Sequence, residues 1–123
     1  MTTTPIDLFS SFVTFETDGN ANPVQRRFDP TRQGWQLMTF HAETDADVHG
    51  DHWEIHTGAD ELVSCLSGGI LMYFRDSAEE ITVPAGSAVI VPRGTWHRIE
   101  LTGPSDIMSV TVPRGSRLEQ RNP

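Results

Sequence analysis

The chain has 123 residues, enough for one domain with a hydrophobic core of its own. Nine basic residues, all arginine, stand against 17 acidic ones, and the net charge of −8 at pH 7 disfavours nucleic acid and anionic membranes as partners. The single cysteine, Cys65, excludes an internal disulfide. We see no secretion signal and no apolar run of about 20 residues, so we expect a cytoplasmic protein.

Short strands separated by turns that contain glycine or proline are predicted along the chain. The first strand is predicted at 12–17, and the polar segment 18–31, with its two prolines, is interpreted as a loop. No window keeps an apolar period of 3.6 residues, so little helix is expected. This pattern predicts an all-β sandwich or barrel. The remaining strands are predicted at 35–40, 51–56, 61–66, 70–75, 80–83, 88–91, 96–101 and 107–112.

The strand predicted at 51–56 carries potential metal ligands on one face. Because side chains alternate along a strand, His52, Glu54 and His56 point to the same side, about 6.6–6.8 Å apart from one to the next. A glycine-containing turn follows, and Glu61 opens the next strand. Imidazole and carboxylate groups are the ligands that divalent transition metals accept in proteins. The pattern therefore favours a metal site between these two strands.

A second segment, 86–97, delivers one more histidine. Gly86 suits a turn with positive φ, and Pro92 ends an apolar run because it cannot donate to a strand ladder. Gly94 then permits the tight reversal that leads to His97. A single buried histidine is more often a hydrogen-bonded core residue than a ligand. The combined spacing of the two segments is what favours metal binding here.

Together the segments resemble the two motifs of the cupin superfamily, G-x5-H-x-H-x3,4-E-x6-G and G-x5-P-x-G-x2-H-x3-N. The sequence departs from them at three of ten fixed positions, since Val48 and Leu101 replace a glycine and an asparagine, and Glu54 replaces the first histidine. The seven matching positions are His56, Glu61, Gly68, Gly86, Pro92, Gly94 and His97.

The resemblance implies a small single-domain (type 2) cupin of unassigned function, built as one double-stranded β-helix, or jelly-roll, barrel. The cupin domain is expected to span residues 1–123, with the first motif at about 48–68 and the second at about 86–101.

The resemblance also implies one divalent transition metal ion, which could be Fe, Mn, Zn or Ni. The ligand roles carry over to His56, Glu61 and His97, whereas Glu54 inherits only the position of a ligand. A carboxylate there would give a site of two imidazoles and two carboxylates. His52 is an additional candidate because it lies on the same face two residues earlier.

Two classes of function remain open on the sequence alone, because cupins host many chemistries. One is a metal-dependent enzyme, of oxygenase or isomerase type, acting on a small organic molecule in a pocket lined by Val63, Ile99 and Leu101. The alternative is a non-catalytic cupin that binds or senses a small ligand, with or without metal. A homodimer is expected, because open barrels expose edge strands and the segment 9–15 is more apolar than a free tail should be.

Overall fold

The structure, a computed structural model, describes residues 3–122. Over this range it contains eleven strands and one short 3-10 helix, Asp45–Val48. The predicted all-β class with little helix is confirmed. The strands are β1 Ser11–Phe15, β2 Ala21–Gln25, β3 Trp35–Ala42, β4 His52–Ile55, β5 Glu61–Ser67, β6 Gly69–Phe74, β7 Glu80–Pro84, β8 Ser87–Val91, β9 His97–Leu101, β10 Ser105–Thr111 and β11 Arg117–Gln120.

The strands form two antiparallel sheets with the double-stranded β-helix arrangement. One sheet has six strands in the order β2-β1-β3-β10-β5-β8, and the other has five in the order β11-β4-β9-β6-β7. Consecutive strands often lie in different sheets, so the chain crosses between the sheets repeatedly. The two segments that carry the sequence motifs therefore contribute to both sheets, with β5 and β8 in the first and β4 and β9 in the second.

One end of the space between the sheets is filled by an apolar core. Its largest members, Ile70 and Met72 of β6 and Ile107 of β10, are almost completely buried. Val63 and Cys65 of β5 complete it from the six-stranded sheet. Burying an aliphatic side chain of this size contributes about 1.5–3 kcal/mol, so this cluster holds the two sheets together. The other end of the space stays open.

Two strands were missed by the sequence prediction, and both lie at sheet edges. The segment interpreted as a loop contains β2, which pairs only with β1. Pro23 within it is tolerated because an edge strand needs only one side of its ladder. The second missed strand, β11, pairs only with β4 and is exposed at all four positions. Edge strands without a buried face lack the alternating pattern on which the prediction rests.

Residues 3–122 include no helix of the length and apolar character that crossing a bilayer requires.

Candidate metal centre

Backbone contacts hold the two motif segments against each other. The N–H of Gly94 donates to the carbonyl oxygen of His56 at 2.8 Å. The N–H of Arg93 donates to Oδ1 of Asp60 at 2.8 Å, so a hydrogen bond also connects the turn before β5 to the turn before β9. In the sheet itself His97 of β9 stands directly opposite Glu54 of β4. These contacts bring the histidine that follows β4 next to the histidine that opens β9.

Four side chains converge at this point, and their ligand atoms lie within 4.8 Å of one another. Oε1 of Glu61 is the common centre, 3.2 Å from Nε2 of His56 and 3.1 Å from Nε2 of His97. Oε1 of Glu54 lies 3.4 Å and 3.7 Å from the same two nitrogens. The Glu54 side chain is 38% exposed, whereas the other three are buried. Glu54 therefore forms the solvent side of the group.

In both imidazoles the other ring nitrogen, Nδ1, is within hydrogen-bond distance of an oxygen. Nδ1 of His97 lies 3.0 Å from the carbonyl oxygen of Thr95, which can only accept, so this nitrogen carries the proton in the neutral ring. Nδ1 of His56 lies 2.7 Å from Oγ of Ser116, in the turn immediately before β11. When both rings are neutral and Nδ1 is the donor, each Nε2 presents its lone pair towards Glu61. This is the tautomer that a metal-binding histidine needs.

Charge is tightly coupled within the group. Burial lowers the pKa of His56, but the carboxylates of Glu54 and Glu61 outweigh it and raise this pKa to about 10. Burial raises the pKa of Glu61, but its contacts with His56 and His97 outweigh that effect and lower the pKa to about 2. Without a bound cation, the group is therefore stabilised by the ion pair between protonated His56 and the ionised carboxylate of Glu61.

The donor set fits a divalent transition metal ion. Nε2 of His56 is buried and, despite its short distances to two carboxylates, has no hydrogen-bond partner among the described residues. An unpartnered buried nitrogen is costly unless a cation or proton satisfies it. Two imidazoles and two carboxylates suit Fe, Mn, Zn or Ni, and the two negative charges match the charge of the ion.

Two residues predicted for the site lie elsewhere. His52 faces the same cavity, but its Nδ1 contacts Oδ1 of Asp51 at 2.7 Å, and the residue is outside the four-residue group. Leu101 was predicted to line the pocket but instead packs against the closed apolar end, opposite Ile70. It lies four residues beyond His97 along β9, about 13 Å deeper, where the core already fills the space.

An open cavity of about 760 Å³ lies between the sheets, with the four-residue group in its wall. Val63 and Ile99 line it. Two arginines border it, but the guanidinium of Arg98 stacks on Tyr73 and that of Arg117 on Trp96. The apolar part of the wall consists of Phe12, Phe28, Met38, Phe40, Val48, Val63, Ile99, Ile107, Pro113 and Leu118.

Three further histidines lie at the cavity wall: His41, His49 and His52. His41 is exposed and sits between two carboxylates, with Nδ1 2.7 Å from Asp106 and Nε2 2.8 Å from Glu43. These hydrogen bonds raise its pKa. Among the described residues only the group around Glu61 gathers three or more ligand atoms. The additional histidines give the cavity a polar rim rather than a second metal centre.

Sequence reasoning missed one residue that belongs to the centre, Ser116. It contacts His56 from a segment that follows both motifs. Nothing in the sequence pattern could have identified it, because serine is common in turns and its role depends on the β4–β11 pairing.

Comparison with known proteins agrees with this architecture. The family model described as "Cupin domain" matches residues 38–113. A cupin-2 domain containing protein from Shewanella frigidimarina is 24% identical, with a TM-score of 0.52, over 63% of this chain and 70% of that one. A protein with a double-stranded beta-helix domain from Klebsiella pneumoniae is 16% identical, with a TM-score of 0.58, over 74% and 79% of the two chains.

A third solved structure, Fe(II)-HppE with the alternative substrate (S)-1-HPP, is 19% identical, with a TM-score of 0.51. The match covers 63% of this chain and 42% of the HppE chain. None of the curated proteins matches the sequence. At these identities the solved structures show the fold alone. The family model spans more than half of the chain, and with the fold and the two motifs it shows that this protein belongs to the cupin family.

Proposed function

We propose that this cupin binds one divalent transition metal ion through His56, Glu61 and His97, with Glu54 as a fourth ligand. The observation that carries the proposal is the shared orientation of the two imidazoles, whose Nε2 atoms both face Oε1 of Glu61 while their Nδ1 atoms are held by Ser116 and Thr95. Fe, Mn, Zn and Ni all accept this donor set. The Fe(II) of the HppE structure makes iron the first ion to test.

The ligands also limit the chemistry of such a centre. An ion bound there would supply Lewis acidity or electron transfer to a ligand oxygen. Glu54 and Glu61 place two negative charges beside it, which lowers its electrophilicity compared with a site of three neutral histidines. Oxygenase-type or isomerase-type chemistry is therefore favoured over hydrolysis by a metal-bound hydroxide. Glu54 is the accessible carboxylate at the cavity side and can exchange a proton with a bound molecule.

The cavity favours a small organic acid or carbonyl compound with an apolar body. Its wall is mainly aliphatic and aromatic, which would bury the body of the ligand and exclude water. Arg98 is paired with Glu100 and stacked on Tyr73, and Arg117 is stacked on Trp96, so a dianion such as a phosphate is less favoured as the ligand. A ligand that places one oxygen at the metal and buries an apolar body against the wall would fit this cavity. Such a ligand is either converted at the metal or only bound, and an assay of its conversion separates the two.

Metal binding is tested by elemental analysis of protein purified without added metal. We expect about one transition metal ion per chain. The double variant His56→Ala, His97→Ala should lose it, whereas His49→Ala, a cavity histidine outside the group, should keep it. Full metal content in the double variant, or none in the wild-type protein after incubation with each of the four ions, would show that the centre is misassigned.

Ligand binding and turnover are tested on the metal-loaded protein. Candidate diketones and hydroxy acids are screened by thermal shift and by oxygen uptake. Val63→Phe should fill part of the cavity and abolish ligand shifts while keeping the metal. Leu71→Phe, on the outer face of the other sheet, should leave them unchanged. Ligand shifts without any conversion of the ligand would assign a binding function, and conversion that needs the metal would assign an enzyme.

A further inference from the structure

Apart from the histidines, the cavity wall contains four uncharged polar side chains: Gln36, Ser109, Thr111 and Ser116. Two of them are held by the protein itself. Oγ1 of Thr111 donates to the carbonyl oxygen of Asp60 at 3.0 Å, and Oγ of Ser116 lies 2.7 Å from Nδ1 of His56. Within residues 3–122 the side chains of Gln36 and Ser109 make no hydrogen bond. Their donors and acceptors are therefore available to a molecule in the cavity.

Ser109 interrupts an apolar part of the wall. It lies on β10, with Met38 of β3 opposite it on one side and Val63 of β5 on the other. The residue is only 7% exposed. A hydroxyl that is nearly buried between apolar neighbours lowers stability unless another group hydrogen-bonds to it. Residues that break the local pattern in this way are typical of functional positions.

Gln36 lies on the same wall as Glu61, two strands away. It stands opposite Thr111 on β10. Because β10 and β5 are antiparallel and in register here, Thr111 lies beside Glu61. Adjacent strands are about 4.8 Å apart, so the Cα atoms of Gln36 and Glu61 are about 10 Å apart. Since Gln36 is half-buried and lines the cavity, its carboxamide stands at one end of this line and the candidate metal centre at the other.

We infer that Gln36 and Ser109 form a second binding subsite, which takes an uncharged hydrogen-bonding group at the far end of the ligand, such as a hydroxyl or a carboxamide. The subsite presupposes the proposed function, in which the metal ion binds one oxygen of the ligand. Both side chains can donate and accept a hydrogen bond, as such a group requires. The separation of about 10 Å, less the reach of the two side chains, corresponds to a ligand body of about four to six carbon atoms.

A charged group is disfavoured at this subsite. A carboxylate that is buried away from water needs a cation beside it. Of the arginines that border the cavity, Arg98 is paired with Glu100, and Arg117 is stacked on Trp96. The subsite itself carries no charge, and the cavity wall already holds the two carboxylates of the candidate metal centre. The ligand therefore carries its acidic or carbonyl group at the metal end and a neutral polar group at the other end.

Three acids that share one metal-binding end test the subsite on the metal-loaded protein. They are α-hydroxyhexanoate, α,ω-dihydroxyhexanoate and α-hydroxyadipate, which end in a methyl, a hydroxyl and a carboxylate. Calorimetry measures their affinities. We expect the terminal hydroxyl to strengthen binding by about 3- to 10-fold over the methyl, which is the usual effect of one hydrogen bond. The terminal carboxylate should bind more weakly than either.

Substitutions assign this advantage of the terminal hydroxyl to the two residues. Gln36→Leu keeps the approximate size of the side chain and removes its hydrogen bonds, so it should abolish the advantage without weakening the binding of α-hydroxyhexanoate. Ser109→Ala should reduce the advantage. The matched control is Gln25→Leu, the same change at an exposed position of the edge strand β2, which should keep the advantage in full.

The outcomes separate failure of the subsite from failure of the proposed function. Equal affinities for the methyl-ended and hydroxyl-ended acids, or an advantage that survives Gln36→Leu combined with Ser109→Ala, would overturn the subsite and leave the metal-bound ligand in place. If the metal-loaded protein bound none of the three acids, the proposed ligand class would be wrong and the subsite would be overturned with it.

A measurement of stability needs no ligand. If the two polar groups contact only water in the empty cavity, Gln36→Leu and Ser109→Ala should melt no lower than the wild-type protein. Thr111→Val is the contrasting variant, because it loses the hydrogen bond to Asp60 and should melt lower by about 2–8 °C. A fall of that size in Gln36→Leu or Ser109→Ala would show that the protein itself holds the polar group, and it would overturn the inference.

Discussion

Oγ of Ser116 lies 2.7 Å from Nδ1 of His56, a residue 60 positions earlier in the chain. The contact links the turn before β11 to the histidine that follows β4. It is buried, and it fixes the rotation of the imidazole. Metal affinity should therefore depend on a residue that is not itself a ligand.

The first prediction is that Ser116→Ala weakens metal binding by about 10- to 100-fold, which is the usual effect of losing a partner that orients a ligand histidine. Ser116→Thr keeps a hydroxyl at the same position and should retain most of the affinity. Competition with a chromophoric chelator measures both. An unchanged Kd in Ser116→Ala would mean that the hydroxyl does not set the orientation of His56, provided that the variant melts like the wild-type protein.

The candidate metal centre illustrates what the sequence could and could not predict. His56, Glu61 and His97 were identified because turn residues and strand alternation fix where they point, and these are local rules. The same alternation put His52 and Leu101 on the correct faces but could not give their depth along the barrel. Depth depends on where the core ends, which is set by contacts between distant strands.

A second prediction concerns the turn that delivers Ser116. Gly115 has φ of +81°, and a Cβ there would lie 2.0 Å from Oγ1 of Thr57. Gly86 has φ of +87° and open space around it. Gly86→Ala should cost about 1–2 kcal/mol of unfolding free energy for the left-handed backbone alone. Gly115→Ala should cost about 1 kcal/mol more, because Thr57 must also give up its hydrogen bond to the Gly115 carbonyl oxygen.

Chemical denaturation gives both values, and metal competition on the same proteins supplies a second readout. Gly115→Ala should also weaken metal binding, since it displaces the adjacent serine, whereas Gly86→Ala should not. Equal destabilisation and equal metal affinity in the two variants would show that the Thr57 contact is not needed to place Ser116.

The fold was predictable to the extent that its strands have one buried face. β7 shows this best: Ile81 and Val83 are half-buried and buried, whereas Glu80, Thr82 and Pro84 beside them are exposed. β2 and β11 were not predictable, because their positions face solvent and their only support is pairing with one neighbour. The order of strands within the sheets also lay beyond the sequence, since it depends on pairing between segments far apart in the chain.

A third prediction separates the two carboxylates. Glu61 is buried and lies within 3.2 Å of both imidazoles, so Glu61→Gln should weaken metal binding by about two orders of magnitude, or about 3 kcal/mol. Glu54 is part-exposed and more distant, so Glu54→Gln should cost about one order. Glu54→His, which restores the commoner cupin ligand, should bind at least as well as the wild-type protein. If Glu54→Gln and Glu61→Gln lost the same metal affinity, Glu54 would be a full ligand and not only the carboxylate on the solvent side.

The last prediction is a pH dependence with a defined sign. In the metal-free protein the pKa of His56 is raised from 6.5 to about 10, so its contribution to stability is complete below pH 6.5 and is lost as the pH rises through 10. The pKa of Glu61 is lowered from 4.5 to about 2, so its contribution is complete above pH 4.5 and is lost as the pH falls through 2. The metal-free group should therefore stabilise the fold most between pH 4.5 and 6.5.

Metal binding should follow the opposite trend, because the ion requires neutral His56 and must displace its proton. Between pH 6.5 and 10 the affinity should rise by about tenfold per pH unit if one proton is released. Calorimetry in two buffers with different ionisation enthalpies counts that proton, and the difference in melting temperature between metal-loaded and metal-free protein should grow over the same window. His49→Ala should show the same slope as the wild-type protein. An affinity independent of pH in this window would mean that His56 is already neutral in the metal-free protein, and that its contacts with Glu54 and Glu61 do not hold a proton.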